Sequence, residues 1–199
     1  YRSKTYVGAT QWLICLELFL LIDNPWQVFL TTDHPNGGPF TAYPQIIRLL
    51  MDKDYRQEAA LQVNKKALQN SCLLDLKREY DLNEIAIITR AGTARALGLK
   101  HKGHLGIGAD ADITIYKWQE NYAEMFSKPV YVLKNGVVVV RDGKMVADEP
   151  GKTICLNLPG RDKIESWLKP RFTEKYSMAY ENFILSEQFL TRKGCVYST

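Results

Sequence analysis

Long apolar runs are missing from this chain. The most apolar stretch, residues 12–22, is interrupted by Glu17 and falls well short of the roughly 20 residues that a bilayer span requires. It reads as a buried helix, and no membrane span is expected. The opening residues Tyr1-Arg2-Ser3-Lys4-Thr5 carry no signal-peptide pattern. Histidine is scarce: only His34, His101 and His104 are present, so no H-x-H pair occurs. Cysteine is sparse too. Cys15, Cys72, Cys155 and Cys195 are far apart and form no C-x-x-C pair, which argues for reduced thiols in a cytoplasmic protein rather than a disulfide framework. Charge of one sign does not accumulate, since 26 basic and 22 acidic residues give a net charge of +4 without a long basic run. That excludes the clustered basic footprint of a nucleic-acid binder. What remains is an ordinary globular composition, 46% hydrophobic and 24% charged over 199 residues, enough for one domain or two small ones with a sizeable core.

What is present is organised around residues 28–40. The short apolar run Val28-Phe29-Leu30 has the length and composition of a buried strand, expected over 26–32. It ends in Thr31 and Thr32, then places Asp33, His34 and Asn36 beside Pro35, Gly37 and Gly38. Proline and paired glycines end the strand and force a tight loop. Two readings fit Asp33: a carboxylate at the end of a barrel strand, where α/β barrels place their chemistry, or a cap for the following helix.

The remaining pattern is α/β. A helix over 11–22, apolar nearly all round, is expected to bury most of its surface, and Asp23-Asn24-Pro25 stops it. A second helix begins near Pro44 with an apolar stripe of Ile46, Ile47, Leu49, Leu50 and Met51. Residues 52–80 read as one or two surface helices with a connecting loop. Asp81-Leu82-Asn83-Glu84 is a capping box in form, opening a helix with Ile85, Ile88, Ala91 or Gly92, Ala96 and Leu97 on one side and ended by Gly98. From 101 the texture turns to β: Ala111-Asp112-Ile113-Thr114-Ile115-Tyr116 alternates, and Asn135-Gly136 between two β-branched runs is a strong hairpin signal. Residues 101 to about 155 therefore read as a small antiparallel β unit. Beyond 156 the aromatics Trp167, Phe172, Tyr176, Tyr180, Phe183 and Phe189 stand without tidy periodicity. They fit a tail that wraps over another surface, or a short helix packed on its own chain.

Taken in order, the strand ending in Asp33, the segment Thr89-Arg90-Ala91-Gly92-Thr93-Ala94-Arg95-Ala96-Leu97-Gly98, the glycine-rich Gly103-His104-Leu105-Gly106-Ile107-Gly108-Ala109-Asp110-Ala111-Asp112-Ile113 and the Asn135-Gly136 hairpin resemble the C-terminal third of the amidohydrolase superfamily. Within it, Thr31-Thr32-Asp33-His34-Pro35-Asn36-Gly37-Gly38-Pro39-Phe40-Thr41 and Ile88-Thr89-Arg90-Ala91 look like the A-subunit family of formylmethanofuran dehydrogenases. The A subunits of formyltransferase/hydrolase complexes are close kin. A cyclic-amide hydrolase such as a hydantoinase, and a non-catalytic assembly piece, are the competing readings.

The resemblance implies the end of a metal-dependent TIM barrel over 1–100, a small β-sandwich over 101–155 and an extended aromatic-rich tail over 156–199. It implies hydrolysis of a formamide, or its reversal, interconverting N-formylmethanofuran with formate and methanofuran at a two-zinc centre with a carboxylated lysine. Tungsten or molybdenum pterin and iron–sulfur clusters would belong to partner subunits of the complex. Asp33 matches the aspartate that ends the eighth barrel strand and is expected to be both metal ligand and proton-carrying catalyst. Two nearby metal ions can share a hydroxide and polarise the formyl oxygen. His34 and Asn36 are expected to shape the loop or touch substrate, with His34 on the opposite face from Asp33. His101 and His104 are expected to be structural, and Asp110 and Asp112 to satisfy turn backbone groups. The family's H-x-H pair, lysine and two later histidines have no counterpart among the three histidines here. The chain is therefore expected to be the later portion of a longer subunit, metal-free and inactive alone.

Overall fold

Thr5 opens the first helix, α1 (Tyr6–Leu21), by accepting a hydrogen bond from Gly8 N at 3.2 Å, the usual work of a threonine N-cap. Its inward stripe is Ala9, Leu13, Leu16 and Leu20, spaced as one face of a 3.6-residue helix. The opposite face, with Val7, Ile14, Leu18 and Leu21, is exposed. The expected all-round burial is thus corrected to one face, because the elements after it pack on a single side. Glu17 leaves that outer face: its carboxylate accepts from Ser71 Oγ and from Cys72 N.

The computed structural model describes residues 4–151, 153–156, 161–183 and 195–198. These fall into two compact units, Tyr1–Glu149 and Pro150–Thr199. No helix among the described residues is long and apolar enough to cross a membrane.

In the first unit, the expected strand over 26–32 begins later and stands alone. Asn24 accepts from Trp26 N at 3.1 Å and Pro25 fixes the first position, so Pro25–Gln27 forms a single 3-10 turn. Residues 28–32 are extended, with Val28, Leu30 and Thr32 buried and Phe29 and Thr31 outward. Leu30 N donates to Ile88 O at 2.9 Å, yet among the described residues this segment joins no sheet. It is half-buried rather than buried on both faces.

After the Asp33 loop come α2 (Tyr43–Met51), α3 (Lys53–Ala60) and α4 (Lys65–Gln69). Pro44 sits in the first turn of α2 as expected, and Ile47, Leu49, Leu50 and Met51 are buried. Residues 52–80, read from sequence as surface helices, instead contribute Arg56, Ala60, Val63, Ala67, Leu73 and Tyr80 to the interior. Apart from Arg56, the interior set is small and apolar and closes over Leu13 and Leu50. Tyr80 ties the layers together, its N donating to Leu50 O and its hydroxyl to Phe19 O. Burial pushes the Tyr80 phenol above its ordinary pKa.

The capping box forms as the sequence implies: Asp81 accepts from Glu84 N, and Glu84 accepts from Asp81 N. The helix it opens is α5 (Leu82–Ala86), which widens into a π turn (Ile87–Ala91) before α6 (Gly92–Ala96). One extra residue in that turn rotates the helix beyond it, as π bulges do. Ile85, Ile87, Ile88, Gly92 and Ala94 are therefore buried, whereas Ala96 and Leu97, expected on the inner side, are exposed. Gly98 ends the helix at φ 69°, a conformation that costs glycine little.

The β unit is a four-stranded antiparallel sheet, β1 (Ile113–Ile115), β2 (Tyr131–Lys134), β3 (Val137–Arg141) and β4 (Lys144–Met145), in sequential order. Asn135 and Gly136 both take positive φ, as do Asp142 and Gly143, so both turns have the twist that suits a two-residue hairpin. A short helix, α7 (Tyr122–Ser127), is spliced between β1 and β2 and packs on α2; the sequence pattern does not announce it. Asn121 caps it by accepting from Ala123 N.

In the second unit, β5 (Thr153–Leu156) pairs in parallel with β6 (Cys195–Ser198). The antiparallel unit expected to reach about 155 therefore ends earlier, at β4. The tail region holds a helix, α8 (Arg161–Lys175), and its aromatics gather on each other: the Phe172 ring lies 4.9, 5.8 and 5.2 Å from those of Tyr176, Tyr180 and Phe183. Phe189 lies outside the described residues.

Candidate active site

The Asp33 loop is shaped from within its own backbone. Asp33 takes φ 48°, a left-handed conformation that aspartate tolerates better than most residues. Its N donates to Thr31 Oγ1 at 3.1 Å, and its carbonyl accepts from Gly37 N at 2.9 Å, closing the loop. A side chain at Gly37 would bring Cβ to 2.6 Å from Thr32 O and 3.2 Å from Asp33 Cβ. Only glycine fits that approach. Gly37→Ala is expected to displace the Thr32–Asp33 peptide and lower stability by about 1–3 kcal/mol, the usual cost of overpacking. A urea midpoint unchanged from wild type would contradict this.

Asp33, His34 and Asn36 are all exposed. Among the described residues, the Asp33 carboxylate takes no hydrogen bond or ion pair, which leaves it free to hold a proton or a cation. His34 points its ring at Phe40, stacked at 4.1 Å and 21°, and Phe40 lies near-parallel to Tyr43 at 6.5 Å. The left-handed turn at Asp33 breaks strand alternation, so that rule no longer sets the facing of His34. Behind the loop, Thr32 is 6% exposed and its Oγ1 has no hydrogen-bond partner among the described residues.

The other candidates lie apart, in the loop before β1. His101 Nδ1 lies 3.2 Å from Gly108 O. His104 Nε2 is 2.9 Å from Lys100 O while its Nδ1 accepts from Gly106 N at 3.1 Å, which the neutral tautomer protonated on Nε2 satisfies. Asp110 and Asp112 both engage the Lys102 ammonium, at 2.9 and 2.6 Å. The expectation that turn backbone is their partner holds only for Asp112 Oδ1, which accepts from Asn135 N at 2.9 Å. Hydrogen bonding to Lys102 holds the Asp112 carboxyl below the usual carboxylate range, and the two aspartates lift the Lys102 ammonium above the usual lysine value.

The signs define a window. A depressed Asp112 contributes stability above the usual carboxylate pKa and loses it as pH falls through its folded value. A raised Lys102 contributes below the usual lysine pKa and loses it as pH rises through its folded value. Protection of the Asn135 amide is therefore expected to hold between about pH 4 and about pH 10.4 and to fall outside that range. Lys102→Met is expected to flatten this dependence at a cost of no more than about 1 kcal/mol, since all three groups are partly exposed. An unchanged pH profile would contradict the assignment.

Among the described residues, no group of three or more His, Cys, Asp and Glu side chains could hold a metal ion. The donors among the described residues therefore do not by themselves fit a two-zinc centre. Arg56 is central to the structure and carries no sequence signal of its role. Arg56, fully buried, donates to Leu49 O, Leu76 O and Arg78 O; an arginine in a charged run gives no sign of this. Arg90 sits in the π turn; its motif is visible in the sequence, its placement is not.

A family model described as the amidohydrolase family matches residues 5–147. Protein FwdA of Methanocaldococcus jannaschii is 46% identical over 95% of this chain and 35% of its own length. The A subunit of the formyltransferase/hydrolase complex Fhc of Methylorubrum extorquens is 46% identical over 86% of this chain and 32% of its own length. The chain thus spans about a third of the length of the curated relatives it matches. The crystal structure of the formyltransferase/hydrolase complex FhcABCD from Methylorubrum extorquens with methylofuran contains a chain that matches all of this one at TM-score 0.86 and 38% identity, over 37% of that chain.

Proposed function

The chain belongs to the amidohydrolase family, and from that premise we propose that it is the C-terminal part of a formamide-hydrolysing A subunit, ending a TIM barrel and working within a multi-subunit complex. Its substrate class is the N-formyl derivative of methanofuran or methylofuran, and its products are formate and the free amine. The observation that carries this reading is the Asp33 carboxylate, exposed and unpartnered among the described residues, at the apex of a loop that Gly37 locks. It sits in a chain 46% identical to the A subunit of an Fhc complex.

In this proposal the work of Asp33 is proton transfer. Its Oδ atoms accept the proton of the attacking water as oxygen adds to the formyl carbon. The same proton then passes to the amine nitrogen as the C–N bond breaks, a form of general acid–base help that typically contributes about 10²–10⁴-fold. His34, next to Asp33 in the chain, stacks on Phe40, which lies near-parallel to Tyr43, an aromatic run suited to contact with a flat ring of the substrate. A two-zinc centre is part of the proposal only in that Asp33 would be one donor, the others coming from the length of the relatives that this chain does not span.

The test is a joined subunit, in which this chain replaces its counterpart in the Methylorubrum protein and is assembled with the other Fhc subunits. Formate release from N-formylmethylofuran is expected. An assembled, folded joined subunit that releases none would overturn the reading.

A further inference from the structure

Thr31 and Thr32 stand side by side at the end of the extended segment, and the fold uses their hydroxyls differently. Thr31 is exposed and open to water, yet its Oγ1 accepts from Asp33 N at 3.1 Å. Thr32 is buried, and its Oγ1 takes no hydrogen bond among the described residues. Valine would hold an extended backbone at position 31 as well as threonine does, since both are branched at Cβ. What threonine adds there is one acceptor. That acceptor meets the amide of the residue whose carboxylate is the candidate for chemistry.

Asp33 holds φ 48°, a left-handed conformation that L-residues disfavour. It is tied on both sides, Asp33 N by Thr31 Oγ1 and Asp33 O by Gly37 N at 2.9 Å. With both groups tied, the backbone at Asp33 is set and its Cα–Cβ bond leaves the loop in one direction. The Thr31 hydroxyl also occupies the donor nearest the carboxylate. An aspartate side chain readily accepts from its own or a neighbouring backbone N–H, and a carboxylate so engaged is less open to the proton of a water.

We propose that Thr31 is a positioning residue for proton transfer: its hydroxyl, by accepting from Asp33 N, aims the Asp33 carboxylate and keeps that amide from capturing it. The proposal rests on the function proposed for the chain, in which Asp33 moves the proton. Thr31 acts through Asp33 and is given no contact with substrate. Thr32, with the same side chain one residue on, is the internal control.

Three variants in the joined subunit, assembled with the other Fhc subunits, separate the outcomes. Thr31→Val keeps the branched shape and removes the acceptor. It is expected to lower kcat for formate release about 10–100-fold, the scale of a misplaced catalytic group, with KM unchanged. Thr31→Ser restores the acceptor and is expected to keep kcat near wild type. Thr32→Val is expected to leave kcat unchanged. Amide exchange in this chain alone reports the hydrogen bond without turnover. In Thr31→Val the Asp33 amide is expected to exchange about fivefold faster, the factor that one net hydrogen bond is worth. The rate is read against the Leu30 amide, which donates to Ile88 O outside the loop.

Unchanged exchange at Asp33 in Thr31→Val would overturn the proposal. So would an unchanged kcat, or a rise in KM alone, which makes Thr31 a substrate contact. A Thr31→Ser variant as slow as Thr31→Val also overturns it, as does an equal loss in Thr32→Val, which assigns the effect to the loop as a whole. A wild-type joined subunit that releases no formate overturns the catalytic reading and this proposal with it. One that releases formate, with Thr31→Val its equal, overturns this proposal alone.

Discussion

Arg56→Ala is expected to lower the stability of the chain by about 2–5 kcal/mol, the range seen when a large buried side chain is truncated and a cavity is left. Arg56 is 0% exposed, and its guanidinium donates at 2.9, 3.2 and 2.8 Å to the carbonyls of Leu49, Leu76 and Arg78. It thereby joins the end of α2 to the irregular chain that leads into Tyr80. Truncation removes three charge-assisted bonds, leaves the buried Leu49 carbonyl unsatisfied at about 1–3 kcal/mol, and opens a cavity. Burial itself disfavours the charge and lowers the Arg56 pKa, with Glu79 and Asp52 opposing that shift. The guanidinium nonetheless stays charged, because its ordinary pKa lies far above working pH. Arg56→Lys supplies one compact ammonium where three divergent donors are needed, so it is expected to fall between alanine and wild type. Urea unfolding measures both. A loss under about 1 kcal/mol for Arg56→Ala would show that the carbonyls find water or other donors.

Asp33→Asn in the joined subunit is expected to reduce formate release by about 10²–10⁴-fold. The substitution isolates chemistry from backbone. Asparagine tolerates the left-handed φ of 48° as well as aspartate does, and Asp33 has no side-chain partner among the described residues to lose. The unfolding free energy from a urea titration is therefore expected to stay within about 0.5 kcal/mol of wild type. Asp33→Ala is a poorer probe, since a left-handed alanine costs about 1–2 kcal/mol and mixes strain with lost chemistry. A drop in turnover smaller than tenfold would remove Asp33 from proton transfer.

Helix boundaries and turns in the first unit are legible wherever the signal is local. The Asp81–Glu84 capping box, Pro44 at the start of α2, Gly98 at the end of α6 and the Asn135-Gly136 hairpin are each fixed by the conformational limits of a few neighbouring residues. The Asp33 loop is legible for the same reason, since proline and paired glycines allow few backbone paths there. The facing of an element is not legible. The outer face of α1 is as apolar as its inner face, so composition does not say which side is covered. The π turn at Ile87–Ala91 shifts the inner face by one residue, and nothing in the local sequence marks that insertion.

The start of α1 at Tyr6 and the whole of α7 lay beyond the sequence. By itself it determined several turns and helix ends, at Pro44, Asp81–Glu84, Gly98 and Asn135-Gly136, and singled out the Asp33 carboxylate as a candidate for chemistry. Those outcomes depend on steric and hydrogen-bonding limits that act over three or four residues. Tertiary structure alone decided that Arg56 is a buried hub, that Lys102 binds Asp110 and Asp112, and that residues 28–32 stand without a strand partner among the described residues. Each of these joins residues distant in sequence, and burial and charge pairing are properties of what surrounds a side chain rather than of its neighbours along the chain.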